Sequence, residues 1–133
     1  MGIFSFDGSE YDTESLTQSQ KEMLASLTLL KSLTRENFIK GEIKKRVKVA
    51  LMDQLSEEFG SKIKDIDLID DTKKLTLDNG SVHNLSDLEE HIEKKVRMLS
   101  SVDLSILEIS NTLQVLDTAK ITYSKQFSES LKP

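Results

Sequence analysis

The chain has 133 residues, of which 31% are charged and 37% hydrophobic, with a formal net charge of -5. That length can bury a core without staples, and the balance is that of a soluble aliphatic protein rather than a disordered one. The absence of Cys excludes disulfides, thiolate metal sites and thiol nucleophiles, and a single Pro with five Gly leaves few helix breakers.

No apolar run approaches the roughly 20 residues that span a bilayer. The opening Met1-Gly2-Ile3-Phe4-Ser5-Phe6 lacks the basic flank and apolar length of an export signal, and Phe6 stands where N-terminal acylation wants Ser or Thr. A cytoplasmic or other intracellular location is therefore expected. Residues 1–12, with Gly2, Gly8, Asp7, Glu10 and Asp12, read as an irregular lead-in. Its Ile3, Phe4 and Phe6 should fold back onto the core, since exposed aromatic clusters are uncommon.

The remainder, 13–133, reads as one helical domain. Thr13 is a candidate helix cap with Glu14 in the first turn, and Leu16, Met23, Leu24, Leu27, Leu30 and Leu33 recur at helical spacing, which predicts a helix over 13–33. Thr34 offers a second cap before a helix over 35–59, whose predicted inner face is Ile39, Ile43, Val47, Ala50, Leu51, Leu55 and Phe59. Gly41 softens the start of this helix, and Gly60 is placed to end it. The short link at Leu33-Thr34 predicts that the two helices form an antiparallel hairpin.

Over 63–85 the period becomes alternating. Ile66 and Leu68, then Leu75 and Leu77, alternate with polar residues, Asp70 to Lys73 reads as a turn, and Asn79-Gly80 signals a type I′ hairpin. A small antiparallel meander is expected, laying Ile66, Leu68, Leu75, Leu77 and Val82 against helix.

Ser86-Asp87-Leu88-Glu89 has the form of a capping box and should open a long helix over 86–130. Counting in sevens from Leu85 gives Ile92, Leu99, Ile106, Leu113, Lys120 and Phe127; three further on lie Leu88, Lys95, Val102, Ile109, Leu116 and Tyr123. All but the two Lys are apolar, and the register passes Ser100-Ser101-Val102-Asp103 unchanged, which predicts a continuous helix with a sustained seam. Leu104, Leu107, Val115 and Ile121 add a second apolar face, while Ser105, Ser110, Thr112, Ala119 and Ser124 are small. A helix apolar on more than one side belongs in a bundle core or an oligomer interface.

The chain carries no catalytic, cofactor or metal motif. His83 and His91 do not form a zincin pair, the glycines are too scattered for a phosphate loop, and Asp65, Asp67, Asp70 and Asp71 fail the calcium-loop pattern because Leu75 stands at its first ligand position. Both histidines read as surface or rim residues.

Between Lys31 and Lys48, seven cations face Glu36 and Glu42, a local net of +5 that leaves -10 for the rest. Lys40, Lys44, Lys45, Arg46 and Lys48 are candidate phosphate-binding residues, although no aromatic is interleaved for base stacking. The fold class expected is mainly α (α+β). The predicted N-terminal helices are each about half as long as the last, so half of its seam would await another subunit. Val102, Ile106, Ile109, Leu113, Leu116, Tyr123 and Phe127 are the expected oligomer interface. The functional expectation is a non-enzymatic assembly or adaptor protein, a homo-oligomer without cofactor. An oligomeric nucleic-acid-binding regulator or packaging factor is the alternative.

Overall fold

The computed structural model describes residues 2–6, 8–69 and 71–132. It holds two long helices and two small antiparallel sheets, and it divides into a unit of Met1–Ile39 with Asn111–Pro133 and a unit of Lys40–Ser110.

The first unit opens with a hairpin rather than an irregular lead-in. Strand β1 (Ile3–Phe6) pairs antiparallel with β2 (Ser9–Asp12), setting Phe4 opposite Tyr11 and Phe6 opposite Ser9. Phe4, Phe6 and Tyr11 alternate as a half-buried ribbon demands, and Gly8, at φ 78°, supplies a left-handed turn residue. Asp7 lies outside the described residues. Phe4 stacks on Tyr11 at 5.5 Å, and both Phe4 and Phe6 contact the ring of Phe127, Phe6 edge-on at 4.9 Å. Phe127 is wholly buried there, near the end of the second long helix.

A single 3-10 turn (Thr13–Ser15) follows, capped by Asp12, whose Oδ1 accepts from the Glu14 amide at 3.0 Å. Thr13 is therefore not a helix cap; its hydroxyl and amide both donate to the Gly2 carbonyl. The cap is Thr17, in a reciprocal box with Gln20: the Gln20 amide donates to Thr17 Oγ1 at 3.2 Å, and the Thr17 amide donates to Gln20 Oε1 at 2.9 Å.

From there one helix, α1 (Gln18–Phe59), runs for 42 residues, in place of the two expected. Thr34 does not start a new helix because its hydroxyl bonds back to the Leu30 carbonyl at 2.7 Å, and Asn37 does the same to Leu33 at 2.9 Å. Polar side chains that satisfy themselves on the preceding turn can sit inside a helix. Gly60, at φ 69°, ends α1 as predicted.

In the second unit the meander is present as β3 (Ile63–Asp67), β4 (Lys74–Leu77) and β5 (Val82–Asn84), in that order across the sheet. Its hairpin loop differs from the predicted type I′ turn. The Gly80 amide donates to the Leu77 carbonyl and the Leu77 amide to the Ser81 carbonyl, with Gly80 at φ 88°, which is the three-residue loop that ends on a left-handed glycine. A type I′ turn at Asn79-Gly80 would pair Leu77 with Val82. The longer loop shifts the register by one, so Thr76 faces Val82 and Leu75 faces His83. A one-residue shift exchanges the faces of a strand. Val82 accordingly points outward, and His83 takes the inner place, its ring 5.2 Å from that of Phe59.

A second 3-10 turn (Leu85–Asp87) precedes α2 (Glu90–Ser130), so Ser86 lies in that turn instead of capping the helix. The helix passes Ser100–Asp103 without a break. Asp70, part of the predicted turn before β4, lies outside the described residues.

The core of this unit gathers Leu51 and Leu55 from α1, Leu75 and Leu77 from β4, Leu85, and Ile92, Val96, Leu99 and Val102 from α2. The two helices run antiparallel: as the position on α1 climbs from Gly41 through Lys48 to Glu58, its partner on α2 falls from Ile109 through Asp103 to His91. Their contact line on α1 follows Gly41, Lys48, Leu51 and Leu55, where a Cβ on Gly41 would stand 3.3 Å from Ile109 Cγ2. That line corrects the predicted inner face. Ile43, Val47 and Ala50, and Ile39 in the first unit, lie to its side and are exposed.

Candidate functional site

The residues singled out for chemistry stay apart. His83 is half-buried against Phe59, a rim position, while His91 is exposed between Glu58 and Glu89 at 3.7 and 3.4 Å. Among the described residues no three His, Asp or Glu side chains gather into a set that could hold a metal ion. Of the acidic group, Asp67 accepts from the Ile69 amide at 3.0 Å in a local turn, and Asp70 is outside the described residues.

The five candidate phosphate-binding cations lie on one stretch of α1 but not on one face. At 100° per residue, Lys40, Lys44 and Lys48 share a stripe, Lys45 stands about a quarter-turn or more from it, and Arg46 is on roughly the opposite side. Lys48 turns towards α2, where its Nζ lies 2.7 Å from Asp103 Oδ1, and Lys45 is 3.5 Å from Glu42. Both ion pairs are substantially solvated and worth little to stability.

The seam positions of α2 are turned inward to different degrees. Val102 and Phe127 are buried inside their own units, Ile106, Ile109, Leu113 and Leu116 are half-buried, and Tyr123 is exposed. The expectation of an uncovered half rested on two short helices. With α1 and α2 at 42 and 41 residues, about 63 and 62 Å each, the length mismatch behind it is gone.

What the structure leaves uncovered is the second apolar face. In the Lys40–Ser110 unit Leu104 and Leu107, three residues apart on the side of α2 away from Val102 and Ile109, are each 57% exposed, and Ile43 and Val47 on α1 are exposed too. In the other unit Val115 and Ile121 are 68% and 62% exposed. Scattered single apolar residues on a surface are ordinary; several large aliphatics grouped at helical spacing are not. On α1 the signal that could have separated the faces was Gly41: a glycine inside a helix often has a packing reason, and it sits in line with Lys48 and Leu55 rather than with Ile43.

Among the described residues no helix is long and apolar enough to cross a membrane. Comparison with models of known protein families, with curated proteins and with solved structures gives no match.

Proposed function

We propose that the chain is a non-enzymatic assembly or adaptor protein that self-associates through the outer apolar faces of its long helices and so contributes to a larger complex. The observation that carries the reading is the exposure of Leu104 and Leu107 on α2, supported by Ile43 and Val47 on α1. The inward seam residues Val102 and Phe127 are engaged by their own chain, so the interface lies on the outward residues instead. Covering a half-exposed Leu gains about 1–1.5 kcal/mol. One such residue cannot offset an association cost of roughly 4–15 kcal/mol, but four per copy, counted on both copies, reach that scale.

The alternative, a grip on nucleic acid through Lys40, Lys44, Lys45, Arg46 and Lys48, has weaker support, because these residues are spread around the helix and two of them already face carboxylates. The test is the molar mass in solution of the native chain and of Leu104→Glu/Leu107→Glu and Ile43→Glu/Val47→Glu variants. Loss of association in either variant, with helix content unchanged, identifies the face. A native chain that is monomeric at every concentration removes the reading.

A further inference from the structure

The two exposed apolar pairs of the second unit lie on different sides of its helices. Met52 of α1 and Ser100 and Asp103 of α2 line one cavity with β3, and so mark the sheet side of both helices. At 100° per residue, Ile43 and Val47 stand about 180° and 140° round α1 from Met52, whereas Leu104 and Leu107 stand only about 40° and 20° round α2 from Ser100. The α1 face looks away from the sheet, and the α2 face borders it. One neighbouring copy cannot cover both. The two faces also differ in sign. On a helix the neighbours of a residue lie three and four places away. Around Ile43 and Val47 the charged neighbours are Lys40, Lys44 and Arg46; around Leu104 and Leu107 they are Asp103 and Glu108. Lys48 of the same chain meets Asp103 at 2.7 Å but leaves its side chain 48% exposed. Among the described residues Lys44 and Arg46 form no ion pair. A surplus of cations remains beside the α1 face, and a half-exposed carboxylate beside the α2 face.

We propose that copies of this chain join unlike face to unlike face, Ile43 and Val47 of one against Leu104 and Leu107 of the next. Like pairings are opposed by charge: α1 on α1 gathers three cations from each copy, and α2 on α2 gathers carboxylates. Unlike pairing sets the cations against the carboxylates, and complementarity of this kind selects the partner surface. The pairing rests on self-association through the outer helical faces, and adds to it which surface meets which. Because the two faces look different ways, every copy that has bound one neighbour keeps a face for another. The assembly is then a ring or an open row, not a two-fold dimer.

The test mixes two double variants, each lacking one face. Leu104→Glu/Leu107→Glu keeps the α1 face, and Ile43→Glu/Val47→Glu keeps the α2 face. Light scattering coupled to size exclusion should find the native chain above twice 15.0 kDa at high concentration and each variant alone at 15.0 kDa. Their equimolar mixture should reach twice 15.0 kDa and stop there, because one intact interface forms and both ends of the pair are blocked. A variant that associates by itself, a mixture that stays monomeric while the native chain associates, or a native mass that stops at the dimer overturns unlike-face pairing and leaves self-association standing. A native chain that is monomeric at every concentration removes self-association itself. A second measurement places no charge in either face. The chain has no Cys, so Val47→Cys and Leu107→Cys each carry a single thiol. When the equimolar mixture is oxidised and its disulfide-linked dimers are weighed by mass spectrometry, the mixed dimer should exceed the half that random pairing gives. A share at or below half overturns the proposal.

Discussion

Gly41 of α1 and Ile109 of α2 meet so closely that a Cβ on the glycine would stand 3.3 Å from the Cγ2 methyl of Ile109. Gly41 is buried in mid-helix, where glycine costs up to about 1 kcal/mol relative to alanine, so its place is set by the partner helix and not by its own. Gly41→Ala gains helix propensity and crowds Ile109, and the two effects should nearly cancel. Ile109→Leu removes the branch methyl at Cβ. In that background Gly41→Ala should stabilise by about 0.5–1 kcal/mol, visible as non-additivity in a urea-unfolding double-mutant cycle.

Gln20 has two bonds with separable consequences. Its Oε1 closes the capping box with Thr17, and its Nε2 donates to the Ser130 carbonyl at 2.8 Å, tying the start of α1 to the end of α2. Thr17→Ala should cost about 1 kcal/mol, as loss of a cap does. Gln20→Glu keeps the cap but turns a carboxylate towards the Ser130 carbonyl, and should raise amide exchange at residues 128–131 while leaving the first turn of α1 protected.

Phe127 is the residue on which the N-terminal hairpin rests. Truncating it to Ala removes the ring that Phe4 and Phe6 both touch, at an expected cost of about 3–5 kcal/mol to the unit that holds it. Limited proteolysis should then cut within residues 3–12 well before it cuts residues 63–84.

The hairpin register makes an opposite pair of expectations for two neighbouring residues. Val82 is on the outer face, so Val82→Thr should change stability by less than about 0.5 kcal/mol. His83→Ala should cost about 1 kcal/mol, because it empties the place beside Leu75 and Phe59. The type I′ register would reverse the order of the two effects, and thermal melts of both variants distinguish them.

Long-range order in this chain was legible where the sequence repeats a period. The seam from Ile92 to Phe127 foretold one unbroken helix, because no loop would preserve its register through Ser100 to Asp103. Turn chemistry was legible to one residue and no better: Asn79-Gly80 located the hairpin, but loop length is a backbone property that the dipeptide does not determine, and Val82 changed faces as a result. Threonines misled in both directions. Thr34 has the look of a cap and bonds back to Leu30 inside α1, whereas Thr17, with Gln20 three residues on, carries the full capping-box pattern that Thr13 lacks.

The candidate site followed the same logic. Leu104, Leu107, Val115 and Ile121 were readable as a second apolar face of α2, and their exposure comes from the structure alone. Ile43 and Val47 belong to the more apolar stripe of their segment, the pattern of a core face, and yet are exposed. A seam running through Gly41 and Lys48 is nearly invisible to hydropathy, since close packing at the glycine and a snorkelling lysine stem replace bulky side chains.

The central claim, self-association through the outer helical faces, is tested most directly by light scattering coupled to size exclusion over a hundredfold range of concentration. The account predicts a mass that is a multiple of 15.0 kDa for the native chain, falling to the monomer in Leu104→Glu/Leu107→Glu or in Ile43→Glu/Val47→Glu with helix content unchanged. A native chain that elutes at 15.0 kDa throughout, or an oligomer that both charge-bearing variants leave intact, would contradict it.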